Sequence, residues 1–284
     1  MQYTKENPLR VVTLCSGYDS QCLALERLKQ VYPEFDYELI AWSEFDPTSK
    51  QPIDRQPAVI AHNALFPQWA DRNLGDMTKI DWTKVSDFDF LFYSTPCQDI
   101  SSAGLQNGFE KGSGTRSSII WNVHDAVKEK RPKYLCLENV KAMVQKKFLP
   151  MFNIWKQELE RQAYTNFAQV LNAKHYGVPQ NRERIFLVSI RNDALAEFNN
   201  SVYCFPQPFP LERKLKDVLE EKVDEKYYIS EKMLNYFHRV NEDTSHGHKF
   251  KPKTDEQVGG VIKANPSTNA DDNFVIEKNE KYTI

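Results

Sequence analysis

The sequence predicts an α/β protein whose mostly parallel sheet carries helices on both faces and is followed by a smaller, irregular second domain. Over the first two-thirds of the 284 residues, short apolar segments rich in β-branched residues alternate with amphipathic ones. Such alternation is typical of parallel sheets with helical crossovers. After Arg191 the chain changes to a proline-rich break, FPQPFP, and polar, loop-like stretches. These changes indicate a domain boundary near 191–210.

The elements are predicted in chain order. LRVVTLCS forms a strand that runs into a Ser16–Gly17 turn and then a helix, SQCLALERLKQ, in which Cys22, Leu25 and Leu28 recur at helical spacing. The following segments are strand YELIAWSEF, strand DFDFLFYST, helix SSIIWNVHDAVKEK, strand KYLCLENV, helix FLPMFNIWKQELERQA, and strands TNFAQVLNA and RERIFLVSIR. Beyond the boundary, LERKLKDVLEEKVDEKYY contains one predicted helical stretch.

Composition excludes several classes of protein. No apolar run approaches the ~18 residues of a membrane span, and the amino end lacks the apolar region of a secretory signal. The five cysteines are widely spaced and contain no C-x-x-C pair, so we expect neither a disulfide framework nor a zinc site. These features favour a cytoplasmic protein without a membrane partner.

The formal net charge of −2 argues against a protein that binds nucleic acid through bulk positive charge. The charge is uneven, however, because residues 1–100 carry 9 basic and 15 acidic side chains while residues 101–191 carry 15 basic and 7 acidic ones. The basic middle segment is either a solvated lysine-rich helix face or a surface for an anionic partner.

Three predicted strand ends carry residues suited to binding a nucleotide-like ligand. Gly17 lies in the turn between the first strand and the first helix, where backbone N–H groups can hold polar groups. Glu44 ends the second strand, where an acid can bind ribose hydroxyls, and Phe45 beside it can pack on an adenine ring. Asp76 precedes the third strand and can accept from an adenine amino group. An ordinary β–α turn and solvated loop acids are the alternative.

The next strand ends carry reactive side chains. Cys97 follows an apolar strand in the polar loop Pro96-Cys97-Gln98, unlike the other cysteines, which lie in strand or helix patterns or follow Tyr203. A thiolate there would be a nucleophile, and a small buried apolar side chain is the alternative. Glu138 ends another strand and could donate a proton. Arg182 and Arg184 alternate on one strand face, suiting phosphate or base recognition, or a salt bridge with Glu183.

Together these segments resemble the cytosine-5 DNA methyltransferase family of bacterial or phage type. The resemblance rests on LCSGYDSQCLALE, AWSEFD, GDMTKID, STPCQDIS, GTRSSII, LCLENV and YGVPQNRERIFLV, which occur in the family's order and cover about residues 9–191. It implies a Rossmann-like fold, with a catalytic S-adenosylmethionine-binding domain at 1–191. Residues 192–284 would be a hinge and a partial target-recognition domain.

The resemblance also implies roles for individual residues. Cys97, Glu138, Arg182 and Arg184 would be catalytic, with Arg184 reaching the cytosine carbonyl oxygen and Arg182 lying closer to Glu138 and the cysteine loop. The cofactor would contact Cys15, Ser16, Gly17, Tyr18, Ser20, Glu44, Phe45, Asp76, Met77, Pro96 and Ile119. The substrate would contact Gln98, Ser101, Arg116, Ser118, Asn139 and Gln180. No metal is expected.

Two departures accompany the resemblance. The family has further glycines where this sequence has Asp19 and Ser20. Its later Arg-x-Leu-Thr-Pro-Arg-Glu and Gly-Asn-Ser segments are not in this sequence, so the sequence-based expectation is a chain truncated before the segment that closes the fold.

The predicted activity is methyl transfer from S-adenosylmethionine to C5 of a flipped cytosine in duplex DNA through a covalent Cys97 adduct. The predicted partners are double-stranded DNA and a cognate restriction endonuclease of a restriction-modification system, and the predicted state is a monomer. The alternatives are an RNA cytosine-5 methyltransferase, a non-catalytic DNA-binding fragment, a nicotinamide-dependent oxidoreductase, and a thiol hydrolase that pairs Cys97 with His124 or His175.

Overall fold

A computed structural model describes residues 2–100, 107–197, 202–221, 223–242, 250–261, 274–276 and 282–283. The chain divides into two compact units. The larger unit comprises Met1–Val170 and Arg184–Cys204, and the smaller unit comprises Leu171–Glu183 and Phe205–Ile284. The assignment of a catalytic role to 1–191 and a recognition role to 192–284 stays a prediction.

A six-stranded sheet organises the larger unit. Its strands are β1 (Leu9–Leu14), β2 (Tyr37–Ser43), β3 (Phe90–Tyr93), β4 (Tyr134–Val140), β5 (Tyr164–Asn172) and β6 (Glu183–Arg191). Their order across the sheet is β2-β1-β3-β4-β6-β5. Strands β2, β1, β3 and β4 pair in parallel, and β6 pairs antiparallel with β4. The α/β fold with a mostly parallel sheet is therefore confirmed.

Helices connect the strands of the larger unit. They are α1 (Ser20–Val31), α2 (Pro57–Leu65), α3 (Val123–Lys130) and α4 (Leu149–Arg161), and a further helix, α5 (Asn192–Ala196), follows the last strand. The helix predicted at 117–130 begins as a 3-10 segment, Arg116–Asn122. There the hydroxyl of Ser118 donates to the Thr115 carbonyl instead of facing solvent, an alternative to α-helical bonding that serine side chains favour.

Both faces of the sheet are covered by apolar side chains, which explains why its strands are nearly continuous apolar runs. On one face α3 and α4 pack against β3 and β4, with Trp155 fully buried and its indole N–H donating to the Tyr93 hydroxyl at 3.1 Å. On the other face Trp42 and Val59 belong to a second buried cluster. Burying such side chains supplies most of the favourable free energy of folding.

The smaller unit has a compact aromatic centre. Its helix α6 (Glu231–Glu242) buries Phe237 against Phe250 and Phe274, with ring centroids 5.0 and 5.2 Å apart. The Asn241 side chain bonds both the N–H and the carbonyl of Phe250. Two short strands, β7 (Val275–Ile276) and β8 (Tyr282–Thr283), pair antiparallel.

The helical stretch predicted within 211–228 is wrong. Its described residues, 211–221 and 223–228, contain two 3-10 turns, Leu215–Asp217 and Glu225–Tyr227, and no α-helix. The side chains of Val218 and Leu219 are exposed. An amphipathic segment forms a stable helix only where its apolar face is buried. In the smaller unit, α6 has such a buried face, which contains Phe237.

Within the described parts of the chain, no helix combines the length and apolar composition needed to cross a lipid bilayer.

Candidate active site

The candidate site lies at the carboxyl ends of the parallel strands in the larger unit. From β1 the chain crosses to β2 on one side, and β3 then returns to the other side of β1. This reversal leaves a crevice beyond the strand ends, which is where open α/β sheets bind ligands. We call the ends of β1 and β2 with residues 75–78 the β1–β2 half, and the ends of β3 and β4 the β3–β4 half.

A pocket of about 550 Å³ opens at this edge. It is lined by Cys15, Ser43, Glu44, Phe45, Asp46, Pro47, Gln56, Pro57, Ala58, Gly75, Asp76, Met77, Thr78, Pro96, Gln98 and Ile119. Seven of the residues predicted to bind a cofactor are therefore brought together: Cys15, Glu44, Phe45, Asp76, Met77, Pro96 and Ile119. The volume of this pocket lies in the range that is typical of small-molecule binding sites.

The turn after β1 is held by a carboxylate from the end of β2. The Gly17 N–H donates to Glu44 Oε2 at 2.7 Å, and Gly17 has φ +59°, which a glycine adopts without strain. Burial raises the pKa of Glu44. A hydrogen bond therefore joins the turn after the first strand to Glu44, the acid predicted at the end of the second strand.

The remaining predicted residues of this turn differ in exposure. Ser16 is buried, and its Oγ has no hydrogen-bond partner within the described residues. Tyr18 and Ser20 are exposed. Of the predicted residues in this turn, only Cys15 belongs to the pocket lining. An orphaned buried hydroxyl such as that of Ser16 indicates a place where a ligand or water completes the bonding.

Asp76 and Met77 form the opposite wall of the β1–β2 half. Partial burial opposes ionisation of Asp76, but hydrogen bonds from Thr78 and the ammonium of Lys79 outweigh it and keep the pKa of Asp76 below its usual value. The Cys15 thiol points at the Met77 sulfur, with the two sulfur atoms 3.4 Å apart. Burial raises the pKa of Cys15, so this thiol stays neutral.

The far wall of the pocket was missed by the sequence analysis. Pro57 and Ala58 begin α2, and the buried Gln56 side chain bonds the N–H and carbonyl of Asp46. Asp46-Pro47 directly follows the predicted Glu44-Phe45 and could have been included with it. No comparable pattern marks Gln56, because its contact with Asp46 depends on how residues 46–56 fold back.

In the β3–β4 half, the loop that carries Cys97 is braced by a residue the sequence analysis did not single out. The Ser117 hydroxyl donates to the Pro96 carbonyl at 2.7 Å. The Ser117 N–H donates to Asp99 Oδ2 at 3.1 Å. Cys97 itself is half-buried, and Pro96 and Gln98 on either side of it line the pocket. This bracing holds the thiol beside the pocket.

Glu138 is held from two sides at the end of β4. The Ser94 hydroxyl donates to Glu138 Oε2 at 2.7 Å, and Arg184 Nε lies 3.0 Å from Glu138 Oε1. Asn139 is buried and donates to the Thr95 carbonyl at 2.9 Å. Because Tyr93 pairs with Leu137 in the sheet, Ser94 and Glu138 leave their strands side by side.

The expectation that Arg182 lies closer to Glu138 than Arg184 does is wrong. The antiparallel register pairs Val140 with Arg184, which places Arg184 diagonally across from Glu138 on one face. Arg182 precedes β6 and belongs to the smaller unit, where its carbonyl accepts from the Ala173 N–H. Gln180 also belongs to the smaller unit and bridges to Gly259.

Three more predicted residues complete the comparison with the sequence. Ser118 Oγ bonds the Thr115 carbonyl at 2.6 Å. Ser101 lies outside the described residues, and so does the side chain of Arg116. None of the five cysteines forms a disulfide. Burial raises the pKa of Cys136 to about 12, which leaves it an inert core thiol. In the described regions no cluster of three or more His, Cys, Asp or Glu residues could hold a metal ion.

Comparison with known proteins then bears on the identity of this site. A family model described as C-5 cytosine-specific DNA methylase matches residues 9–281. The chain is 46% identical over 165 residues to a type II methyltransferase, M2.ScrFI, of Lactococcus lactis subsp. cremoris, a match that covers 58% of this chain and 44% of that protein. It is 31% identical over 285 residues to an orphan methyltransferase, M.SPRI, of Bacillus phage SPR, covering 92% of this chain and 60% of that one.

Solved structures share the fold. A methyltransferase of Entamoeba histolytica, EhMeth, superposes with a TM-score of 0.62 at 16% identity, over 88% of this chain and 69% of that one. The Dnmt2 methyltransferase of S. pombe gives a TM-score of 0.60, also at 16% identity, over the same shares of the two chains. The chain spans about half the length of the curated relatives it matches.

Proposed function

The chain belongs to the C-5 cytosine-specific DNA methylase family, and we propose that it transfers a methyl group from S-adenosylmethionine to C5 of a cytosine flipped out of duplex DNA. One observation carries the proposal. A single pocket is lined on one side by Glu44, Asp76 and Met77, and on the other by the two neighbours of Cys97. A methyl donor in the β1–β2 half would therefore lie next to the nucleophile of the β3–β4 half.

The residues present fit S-adenosylmethionine. This cofactor supplies a methyl group activated by a sulfonium charge. The orphaned buried hydroxyl of Ser16 offers a bond to its polar methionine portion. Glu44 and Asp76 offer acceptors for its ribose hydroxyls and adenine amino group, and Phe45 offers a ring for the adenine to pack on.

The β3–β4 half has the groups that cytosine chemistry requires. Cytosine C5 is a poor nucleophile until the C5–C6 double bond is polarised. The Cys97 thiolate forms a bond to C6, and Glu138 supports the developing charge by a proton or hydrogen bond at N3. The freed electron pair then makes C5 nucleophilic. After C5 is methylated, its proton leaves to a base, the double bond re-forms and the bond between the sulfur and C6 breaks, which restores the thiolate.

Ser94 and Arg184 position the Glu138 carboxyl for this role. Their bonds occupy different oxygens of that group, so the plane of the carboxyl is fixed before the base arrives. Such preorganisation lowers the barrier without a rearrangement in the reaction itself.

The substrate must be flipped, because C5 and C6 of a base stacked in the duplex cannot be reached by a half-buried thiol at the end of a strand. Residues 101–191 carry 15 basic and 7 acidic side chains, and phosphate contacts from this segment would offset the cost of unstacking. A cognate restriction endonuclease, a monomeric state and a cytoplasmic location stay predictions that accompany this function.

Trapping on 5-fluorocytosine DNA tests the proposal. With fluorine at C5, the proton-loss step cannot occur, so the bond between Cys97 and C6 should persist after methyl transfer. The 284-residue chain, incubated with S-adenosylmethionine and fluorinated duplex DNA, should yield a covalent complex that survives denaturing electrophoresis. Cys97→Ser should abolish the complex and lower methyl transfer more than about 10³-fold.

Controls separate the alternatives. Cys204→Ser removes an exposed thiol and should trap normally. A complex that forms with tRNA containing 5-fluorocytosine, but not with the fluorinated duplex DNA, would instead assign an RNA substrate. Absence of trapping together with DNA binding but no binding of S-adenosylmethionine by calorimetry would leave a DNA-binding protein without this activity, and the proposal would fail.

A further inference from the structure

Asp19 occupies an unusual position in the turn after β1. Its backbone has φ +64° and ψ +59°, the left-handed conformation that glycine adopts most readily. Its side chain is nevertheless completely buried. A buried carboxylate in this unfavourable backbone conformation is stable only where several hydrogen bonds from the surrounding structure hold it in place.

Those bonds come from three elements. The Thr13 hydroxyl of β1 donates to Asp19 Oδ2 at 2.7 Å. The Cys22 N–H in the first turn of α1 donates to Asp19 Oδ1 at 3.3 Å, so Asp19 is the N-cap of that helix. The Asp19 N–H also donates to the Ser16 carbonyl at 2.8 Å, which closes the turn around Gly17.

The third element is α2, through a buried histidine. His62 is fully buried and stacks on Trp42, with ring centroids 3.5 Å apart and planes 15° apart. Its Nε2 lies 3.6 Å from Asp19 Oδ2, and neither ring nitrogen has a hydrogen-bond partner within the described residues. The Asp19 carboxylate is the acid that lies next to this ring.

We propose that Asp19 is a positioning residue for the cofactor, and that the Asp19–His62 pair ties the Ser16–Gly17 turn to α2. The carboxylate sets the conformation of residues 16–20, which in turn holds the Gly17 N–H against Glu44. The turn directly follows Cys15, which lines the pocket, and helix α2 supplies both His62 and two residues of the pocket wall, so the pair joins two segments that contribute to the pocket. The inference rests on the proposed function because it takes this pocket as the S-adenosylmethionine site.

The alternative is that Asp19 serves only folding, as a helix cap. Two variants separate these roles. Asp19→Gly tolerates positive φ without strain and removes the carboxylate, whereas Asp19→Asn keeps an acceptor for the helix but removes the charge. His62→Phe retains a ring against Trp42 and removes both nitrogens. His124→Gln is the matched control, since His124 contacts Glu158 between α3 and α4.

The experiment measures two quantities well below each variant's own unfolding temperature. Calorimetry gives the affinity for S-adenosylmethionine, and hydrogen–deuterium exchange of the cofactor-free protein gives the opening of residues 15–20. We expect Asp19→Gly to lower the affinity by about tenfold or more and to speed exchange in that segment. Asp19→Asn and His62→Phe should each have a smaller effect, and their double variant should be no worse than the more affected single variant.

The outcomes are distinct. Wild-type affinity and exchange in Asp19→Gly, even with a lowered unfolding temperature, would show that Asp19 is only a cap and overturn the inference. Additive effects of Asp19→Asn and His62→Phe would also overturn it, because removing either partner should already abolish the interaction between the two side chains. If the unchanged protein fails to bind S-adenosylmethionine, the proposed function fails, and unchanged exchange in Asp19→Gly would then reject the positioning role separately.

Discussion

The two halves of the site are built differently, although they share one edge of one sheet. In the β1–β2 half, carboxylates accept bonds from main-chain N–H groups, as Glu44 does from Gly17 and Asp19 from Cys22. In the β3–β4 half, Glu138 is held by side chains, the Ser94 hydroxyl and the Arg184 guanidinium. The carboxylate bonds of the β1–β2 half therefore depend on the backbone conformation of the turn. In the β3–β4 half, Glu138 can lose one side-chain partner while the backbone stays in place.

This difference predicts separable effects of substitution. Changes in the β3–β4 half should lower the rate of methyl transfer and leave cofactor affinity intact. Changes in the β1–β2 half should act mainly on cofactor affinity. A substitution that affects both quantities equally would show that the halves are coupled.

Glu138→Gln should produce the largest effect. The amide cannot supply the proton at N3, and it replaces the charged group that Arg184 contacts at 3.0 Å. We expect methyl transfer to fall by about 10²–10⁴-fold at saturating cofactor. Rates with tritiated S-adenosylmethionine, together with calorimetry, would measure this. Glu129→Gln, an exposed glutamate on α3, is the control, and a parallel loss of cofactor affinity would contradict the separation of the halves.

Glu44→Gln should have a smaller effect, of about tenfold, on cofactor affinity, because it removes a charge-assisted acceptor. The effect should depend on pH. Burial raises the pKa of Glu44, so acidification protonates it at a higher pH than an ordinary glutamate. Protonation removes the charged acceptor, so wild-type affinity should fall as pH is lowered through that raised pKa.

The Glu44→Gln variant should lack this pH step, and the exposed Asp54→Asn should keep it. Calorimetric titrations over a range of acidic pH would decide. An equally steep step in Glu44→Gln would assign the titration to another group.

Ser94→Ala should have the smallest effect of the three. It removes one hydrogen bond to Glu138, while Arg184 continues to hold the other oxygen. A hydrogen bond to a charged group contributes about 1.5–3 kcal/mol, and the remaining contact with Arg184 should keep the rate loss below about tenfold. Rates at saturating cofactor would measure it, with the exposed Ser86→Ala as control. A loss as large as that of Glu138→Gln would mean that Ser94 itself acts on the substrate.

Much of this site was predictable because strand ends are visible in a sequence. Apolar runs that stop at Gly17, Glu44, Cys97 and Glu138 mark the positions where parallel strands end, and parallel strands end at one edge. Seven predicted cofactor residues line one pocket for that reason. The resemblance of the ordered motifs to a known family is borne out by the family model that matches residues 9–281.

The sequence alone determined the order of the six strands in the larger unit, the helices α1, α3 and α4, and the residues at the strand ends, because local apolar patterns encode them. It did not predict helix α2. Only the tertiary structure decided which partners meet. The antiparallel register of β4 and β6 places Arg184 diagonally across from Glu138, so that this arginine contacts the carboxylate. The packing of α2 brings His62 to Asp19. In the smaller unit, α6 is helical because it buries its apolar face in the aromatic centre, whereas the helical stretch predicted within 211–228 does not form. Such contacts depend on register and burial between distant segments, which no local pattern specifies.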